Sequence, residues 1–123
     1  MSDTYTTIHS IEVLVCAPDG TQLKSEQDAL DLIGEAMAQG SELILVPVER
    51  LHEDFFQLKT RLAGTIIQKF VTYRRHIVIL GDVSQYMAQS RSFRDFVYEA
   101  NKGNEVWFIT SLQELDERLK RTK

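Results

Sequence analysis

Glu49, His52, Lys59, Asp82 and Ser84 are the side chains of this 123-residue sequence whose types and positions could do chemistry. Ser84, His52 and Asp82 supply the three groups of a hydrolytic triad. A triad is defined by geometry, however, and the Gly-x-Ser-x-Gly elbow that would present such a serine is missing. Serine and aspartate just after a strand more commonly end it and cap the turn, so no catalytic residue is expected. Glu49, His52, Glu53 and Asp54 could hold a hard cation, but carboxylates at a helix start also complement its dipole, and that reading is taken. His9, His52 and His76 belong to separate segments without ligand spacing, so no metal site is expected. The six glycines form neither a dinucleotide fingerprint nor a phosphate loop, and no cofactor is expected. Cys16 is the sole cysteine, which excludes an internal disulfide.

Lys59 is the sharper anomaly. Residues 54–73 have Phe55, Leu58, Leu62, Ile66, Phe70 and Tyr73 on one side of a helical plot, and Lys59 lies inside that arc, between the directions of Ile66 and Phe70. Lysine is unusual on such a face unless it snorkels or finds a partner. Two roles are open to it: an ion pair pinning helix to sheet, with Asp82 at the next strand's end as the partner, or a charge offered to an anionic ligand or a partner's carboxylate. Glu49, Lys59, Asp82 and Ser84 therefore form the expected ligand- or partner-binding set, at the edge where ligands of open α/β sheets collect.

The elements that must position this set follow from periodicity and punctuation. Residues 11–16 read as a strand, Ala17-Pro-Asp-Gly20 as a turn and residues 21–23 as its hairpin partner. Ser25 and Asp28 open a helix that Gly40 ends. Residues 42–47, 77–80 and 106–109 are strands without polar alternation, hence covered on both faces. The helix over residues 54–73 starts with Asp54 as cap and Gln57 reaching back, and Gly64 inside it points to a close backbone approach. A polar link after Asp82 leads to a helix capped by Ser92 and Asp95, and Ser111 with Glu114 caps the last one. The fold class is thus α/β: a single domain over residues 1–123 with residues 1–7 flexible. Its order is β-β-α-β-α-β-α-β-α, with about five mostly parallel strands and four helices. Winding in one direction would gather the helices on one face and leave the other to a second subunit or the N-terminal segment, so a homodimer is expected.

The composition is that of a soluble protein: 43% hydrophobic, 26% charged, with apolar runs far too short for a membrane span. The start, Met-Ser-Asp-Thr-Tyr-Thr-Thr, lacks the features of a secretory signal, and a cytoplasmic location is expected. A net charge of −4 argues against a general nucleic-acid binder. Lys59, Arg61, Lys69, Arg74 and Arg75 do make one helix basic, but its aromatic residues sit mostly in the core stripe, so nucleic acid is not an expected partner.

Five segments carry a resemblance. Residues 28–33, Asp54-Phe-Phe-Gln-Leu-Lys-Thr-Arg-Leu-Ala-Gly64, residues 67–70, Ile79-Leu-Gly-Asp82 and residues 93–103 together resemble the bacterial family catalogued as domain of unknown function 4180. The resemblance implies identity over nearly the whole chain and no activity, since the family has none established. The deduced topology also resembles the STAS-like anti-sigma-factor antagonists. Their signalling members carry a phosphorylatable serine or threonine where the helix after the first long parallel strand opens. Residues 47–54 here contain neither, so that resemblance implies only a binding or regulatory scaffold. The expected function is a small non-enzymatic module engaging a protein partner or itself; the alternative is a protein that binds a small anionic ligand, or an uncharacterised enzyme, with its site at the sheet's carboxyl edge.

Overall fold

Leu43-Ile-Leu-Val-Pro47 has no polar side chain, and the structure, a computed structural model that describes residues 3–122, buries all five at the centre of a sheet. The strands are β1 (Thr4–Ile8), β2 (Ile11–Val15), β3 (Leu43–Pro47), β4 (His76–Leu80) and β5 (Val106–Ile109), in the spatial order β1-β2-β3-β4-β5. β1 is antiparallel to β2 and the remaining pairs are parallel. The helices are α1 (Glu26–Ala38), α2 (Leu62–Thr72), α3 (Ser84–Gln89), α4 (Arg91–Lys102) and α5 (Leu112–Thr122). This is the α/β class with a mostly parallel sheet that the sequence pattern indicates, with one short helix, α3, lying in the stretch read as a polar link.

Sequential strand order with right-handed crossovers puts α1, α2 and α4 on one face. There Ala29, Ile33, Ile66, Phe70, Phe93 and Val97 pack on Leu14, Ile44, Val46, Ile77, Ile79 and Phe108. The opposite face does not wait for a second subunit: α5 folds back across it, and Leu115 and Leu119 pack on Val13, Leu43, Leu45, Val78, Trp107 and Ile109. The register explains why these strands lack alternation. Leu45, Val78 and Trp107 lie side by side towards α5 while their neighbours face the other helices, so both faces are dry.

Several local expectations are corrected. The hairpin partner of β2 is β1, not residues 21–23, and residues 4–7 form a strand rather than a flexible start, while residues 1–2 lie outside the described region. The turn is the pair His9 and Ser10, both at positive φ (49° and 69°), a two-residue primed turn made without the Asn-Gly signal that usually announces one. Leu23 instead forms a single parallel bridge to Leu51. The helix over residues 54–73 is broken as well. Glu53–Phe56 and Leu58–Thr60 are 3-10 turns, Arg61 turns left-handed at φ 68°, and only Leu62–Thr72 is α-helical. Thr60 forms the break, its hydroxyl donating to the carbonyls of Asp54 (2.7 Å) and Gln57 (2.8 Å) and accepting from Leu62 N–H. The cap expected of Asp54 is reversed too: Asp54 N–H donates to His52 Nδ1.

The caps of α1 and α5 are where the sequence puts them, with Asp28 N–H on Ser25 Oγ and Glu114 N–H on Ser111 Oγ. In α4 the cap is Ser90, which accepts from Phe93 N–H, and not Ser92. Gly64 is exposed, and a Cβ there would meet nothing within 4 Å, so no close approach explains it. Gly64→Ala is expected to stabilise the protein by about 0.5–1 kcal/mol, since it removes only the glycine's excess unfolded-state entropy. Urea unfolding checks this, and a loss of stability would mean that the helix face is covered after all.

Candidate functional site

The carboxyl ends of β3 and β4 give rise to the two segments that form one cleft, a groove of about 640 Å³. One wall is Glu53, Phe56, Gln57 and Lys59 from the 3-10 turns after β3. The other is Gln85, Tyr86 and Gln89 of α3 with Ser90 and Ser92 at the start of α4. Aromatic contacts join the two walls. Phe56 is buried, edge-on to Phe55 (5.5 Å) and Phe93 (5.8 Å), and Tyr86 stacks on it at 4.1 Å with the planes 6° apart.

Of the expected set, only Lys59 lines this groove. Because the helix breaks at Arg61, Lys59 is not in the buried stripe but exposed on a 3-10 turn, and it makes no ion pair among the described residues. The pinning pair with Asp82 is therefore absent. Asp82 is also exposed, and its Oδ1 accepts from Ser84 N–H at 2.9 Å, closing the turn into α3. Hydrogen bonding from Ser84, first the hydroxyl and then the backbone, holds the Asp82 carboxyl below the usual carboxylate range. Glu49 is exposed on the 3-10 turn Val48–Arg50 and borders none of the clefts described below. Tyr86, Gln85 and Gln89 were illegible as site residues because an isolated six-residue helix has little periodicity to reveal it.

A second cleft of about 400 Å³ lies beside Arg50 and is lined by Asp3, Gly20, Thr21, Asp28, Asp31 and Glu35 among others. Its cation is already spent. Arg50 is 5% exposed and donates from Nε to Thr21 O (2.6 Å) and from Nη1 to Asp3 Oδ1 (2.8 Å) and Ala17 O (2.9 Å). A Cβ on Gly20 would collide with this guanidinium. Nearby Cys16 is buried, and burial first, then the Asp3 carboxylate, push its thiol up to about 12, so it stays protonated and unreactive. Among the described residues no group of three or more His, Cys, Asp or Glu could hold a metal ion.

His76, at the opposite end of β4, has a displaced titration too. Burial first, then the Arg118 charge, lower it to about 4. Its ring meets Trp107 edge-on at 4.2 Å, with Arg118 4.1 Å over the same indole. Among the described residues, no helix is long and apolar enough to cross a membrane.

Compared with known families, the chain matches the one described as Domain of unknown function (DUF4180) over residues 8–119. No curated protein and no solved structure matches it.

The His76 shift fixes the sign of one pH dependence. The folded imidazole stays neutral down to about 4 while the unfolded one protonates near 6.5, so the unfolded state binds the extra proton in between. This group's contribution is full above pH 6.5 and is lost as the pH falls from about 6.5 to about 4. The stability difference between wild type and His76→Gln, measured by urea unfolding, is expected to shrink over that window; a constant difference would contradict it.

Proposed function

The chain belongs to this family of unknown function, and we propose that it is a non-catalytic module that binds a small organic anion, carboxylate or phosphate, in the carboxyl-edge groove. One observation carries the reading: Lys59, which makes no ion pair among the described residues, lines a groove whose opposite wall includes the start of α4. A helix N-terminus favours negative charge, and Lys59 adds a full positive one. The amides of Gln57, Gln85 and Gln89 and the hydroxyl of Ser92 surround them with hydrogen-bonding groups, while the Tyr86–Phe56 stack offers an apolar surface to the ligand's body. Glu49, Asp82 and Ser84 are not needed for this binding. A cytoplasmic location and a STAS-like scaffold belong to the same proposal, the latter supported by the sequential β2 to β5 winding.

Thermal-shift and calorimetric titration with a panel of dicarboxylates, sugar phosphates and nucleotides tests it. At least one class is expected to bind wild type, and Lys59→Ala to weaken it on the order of tenfold by removing a charge-assisted contact. The fold's stability should be unchanged by that substitution. No binding across the panel, or equal binding by Lys59→Ala, would overturn the reading.

Self-association is a second reading, favoured by the unequal treatment of the two sheet edges. On β5, Asn101 Oδ1 accepts from Phe108 N–H at 2.7 Å, blocking the outer edge. β1 at the other end is Thr-Tyr-Thr-Thr-Ile, without the lysine, proline or bulge that blunts an edge, and can pair antiparallel with its own copy about a twofold axis. Light scattering is expected to give twice the 14.2 kDa chain mass at micromolar concentration, and Thr6→Pro the single-chain mass. A monomeric wild type would exclude this edge as an interface.

A further inference from the structure

The amino ends of the parallel strands carry another cleft, lined by charges of both signs. Glu42 before β3, Arg74 and Arg75 before β4, and Asn104 and Glu105 before β5 border a cavity of about 330 Å³. Beside it lies a recess of about 100 Å³ that shares Glu42, His76 and Asn104 and is otherwise walled by Ile11, Leu43, Trp107 and Leu119. The two arginines and two glutamates line the same space, yet none forms an ion pair among the described residues. Arg75 Nε and His76 Nε2 are buried without a hydrogen-bond partner among the described residues, a state that costs stability until something satisfies it.

Backbone strain falls at the same place. α2 ends in a Schellman motif, Arg75 N–H on Phe70 O (2.8 Å) and Arg74 N–H on Val71 O (3.0 Å), and the left-handed position that motif requires holds Arg74 at φ 55°. Glycine is the usual residue there, because a side chain is strained in this conformation. An arginine kept in the strained position on a cavity wall is a candidate for a role other than folding.

A simple anion entering this cleft would meet two carboxylates, and a simple cation two guanidinium groups. A ligand carrying both charges uses all four. The recess is mostly apolar and smaller than the roughly 150 Å³ cavity that admits benzene, so it suits an aliphatic group rather than an aromatic ring. We propose that this amino-edge cleft binds a zwitterionic α-amino acid with a short aliphatic side chain. Its carboxylate lies by Arg74 and Arg75, its ammonium by Glu42 and Glu105, and its side chain in the recess of Ile11, Leu43, Trp107 and Leu119.

Calorimetric titration of the full chain at neutral pH with leucine, glycine, leucinamide and isocaproate tests each part. Leucine is expected to bind, and removal of its side chain, carboxylate or ammonium in the other three probes to weaken binding on the order of tenfold each. Arg74→Gly relieves the strained φ, so it is expected to unfold at higher urea than wild type while binding leucine on the order of tenfold more weakly. Glu105→Gln, an exposed position, gives a second variant with the same expected loss. Lys59→Ala should leave leucine binding unchanged, which separates this cleft from the carboxyl-edge groove. Absence of leucine binding at millimolar concentration, equal binding of leucine, leucinamide and isocaproate, or undiminished binding by both Arg74→Gly and Glu105→Gln would overturn the proposal.

Discussion

The buried guanidinium of Arg50 ties together the residue ahead of β1, the loop between β2 and α1, and the turn after β3. Its three hydrogen bonds reach the carboxylate of Asp3, ahead of β1, and two carbonyls in the loop between β2 and α1. The same Asp3 oxygen accepts from Ala17 N–H, so that carboxylate binds both the loop and the cation. An unpaired charge at 5% exposure would be strongly unfavourable, and the loop must therefore stay wrapped around it. The backbone completes the wrapping: Leu23 N–H donates to Arg50 O, and His52 N–H to Leu23 O. Anchored in this way, residue 52 starts the 3-10 turns that carry Lys59 to the groove.

Those turns show how a local break sets a surface. Read as one continuous helix, residues 54–73 place Lys59 in the core stripe. Thr60 offers its hydroxyl to the Asp54 and Gln57 carbonyls, and the chain passes through a left-handed residue before α2 begins. Phe55 and Phe56 stay buried while the lysine is released to solvent. Arginine occupies left-handed positions at both ends of α2, Arg61 and Arg74, and in each case the hydrogen bonds around the turn hold the strain.

The sheet is closed from within on both sides. α5 supplies the second face, helped by His9 Nε2 and Asp116 Oδ1 at 2.9 Å, which ties the β1–β2 turn to it, and by Arg118, which lies over Trp107 and donates to Asn101 O. With both faces covered, three clefts open at the strand ends: the groove and the Arg50 cleft at the carboxyl edge, and the amino-edge cleft around Arg75 and His76.

Residue types and their spacing determined the fold class, the parallel core strands and the caps of α1 and α5, because each depends on a few neighbouring positions with a strong physical preference. The apolar run of β3 can only be buried, and Ser25 can only cap a helix three residues ahead of Asp28. Tertiary structure decided which of two serines caps α4, where residues 54–73 break, which segment pairs with β2 and how the second sheet face is covered. It also decided which side chains line the carboxyl-edge groove: Lys59 of the residues chosen from sequence, together with Tyr86, Gln85, Gln89 and Ser92, while Glu49, Asp82 and Ser84 lie outside it. These outcomes rest on left-handed residues without a sequence signature and on contacts between distant segments. A clustering of side chains 30 positions apart exists only once the sheet has set the distance between its strand ends.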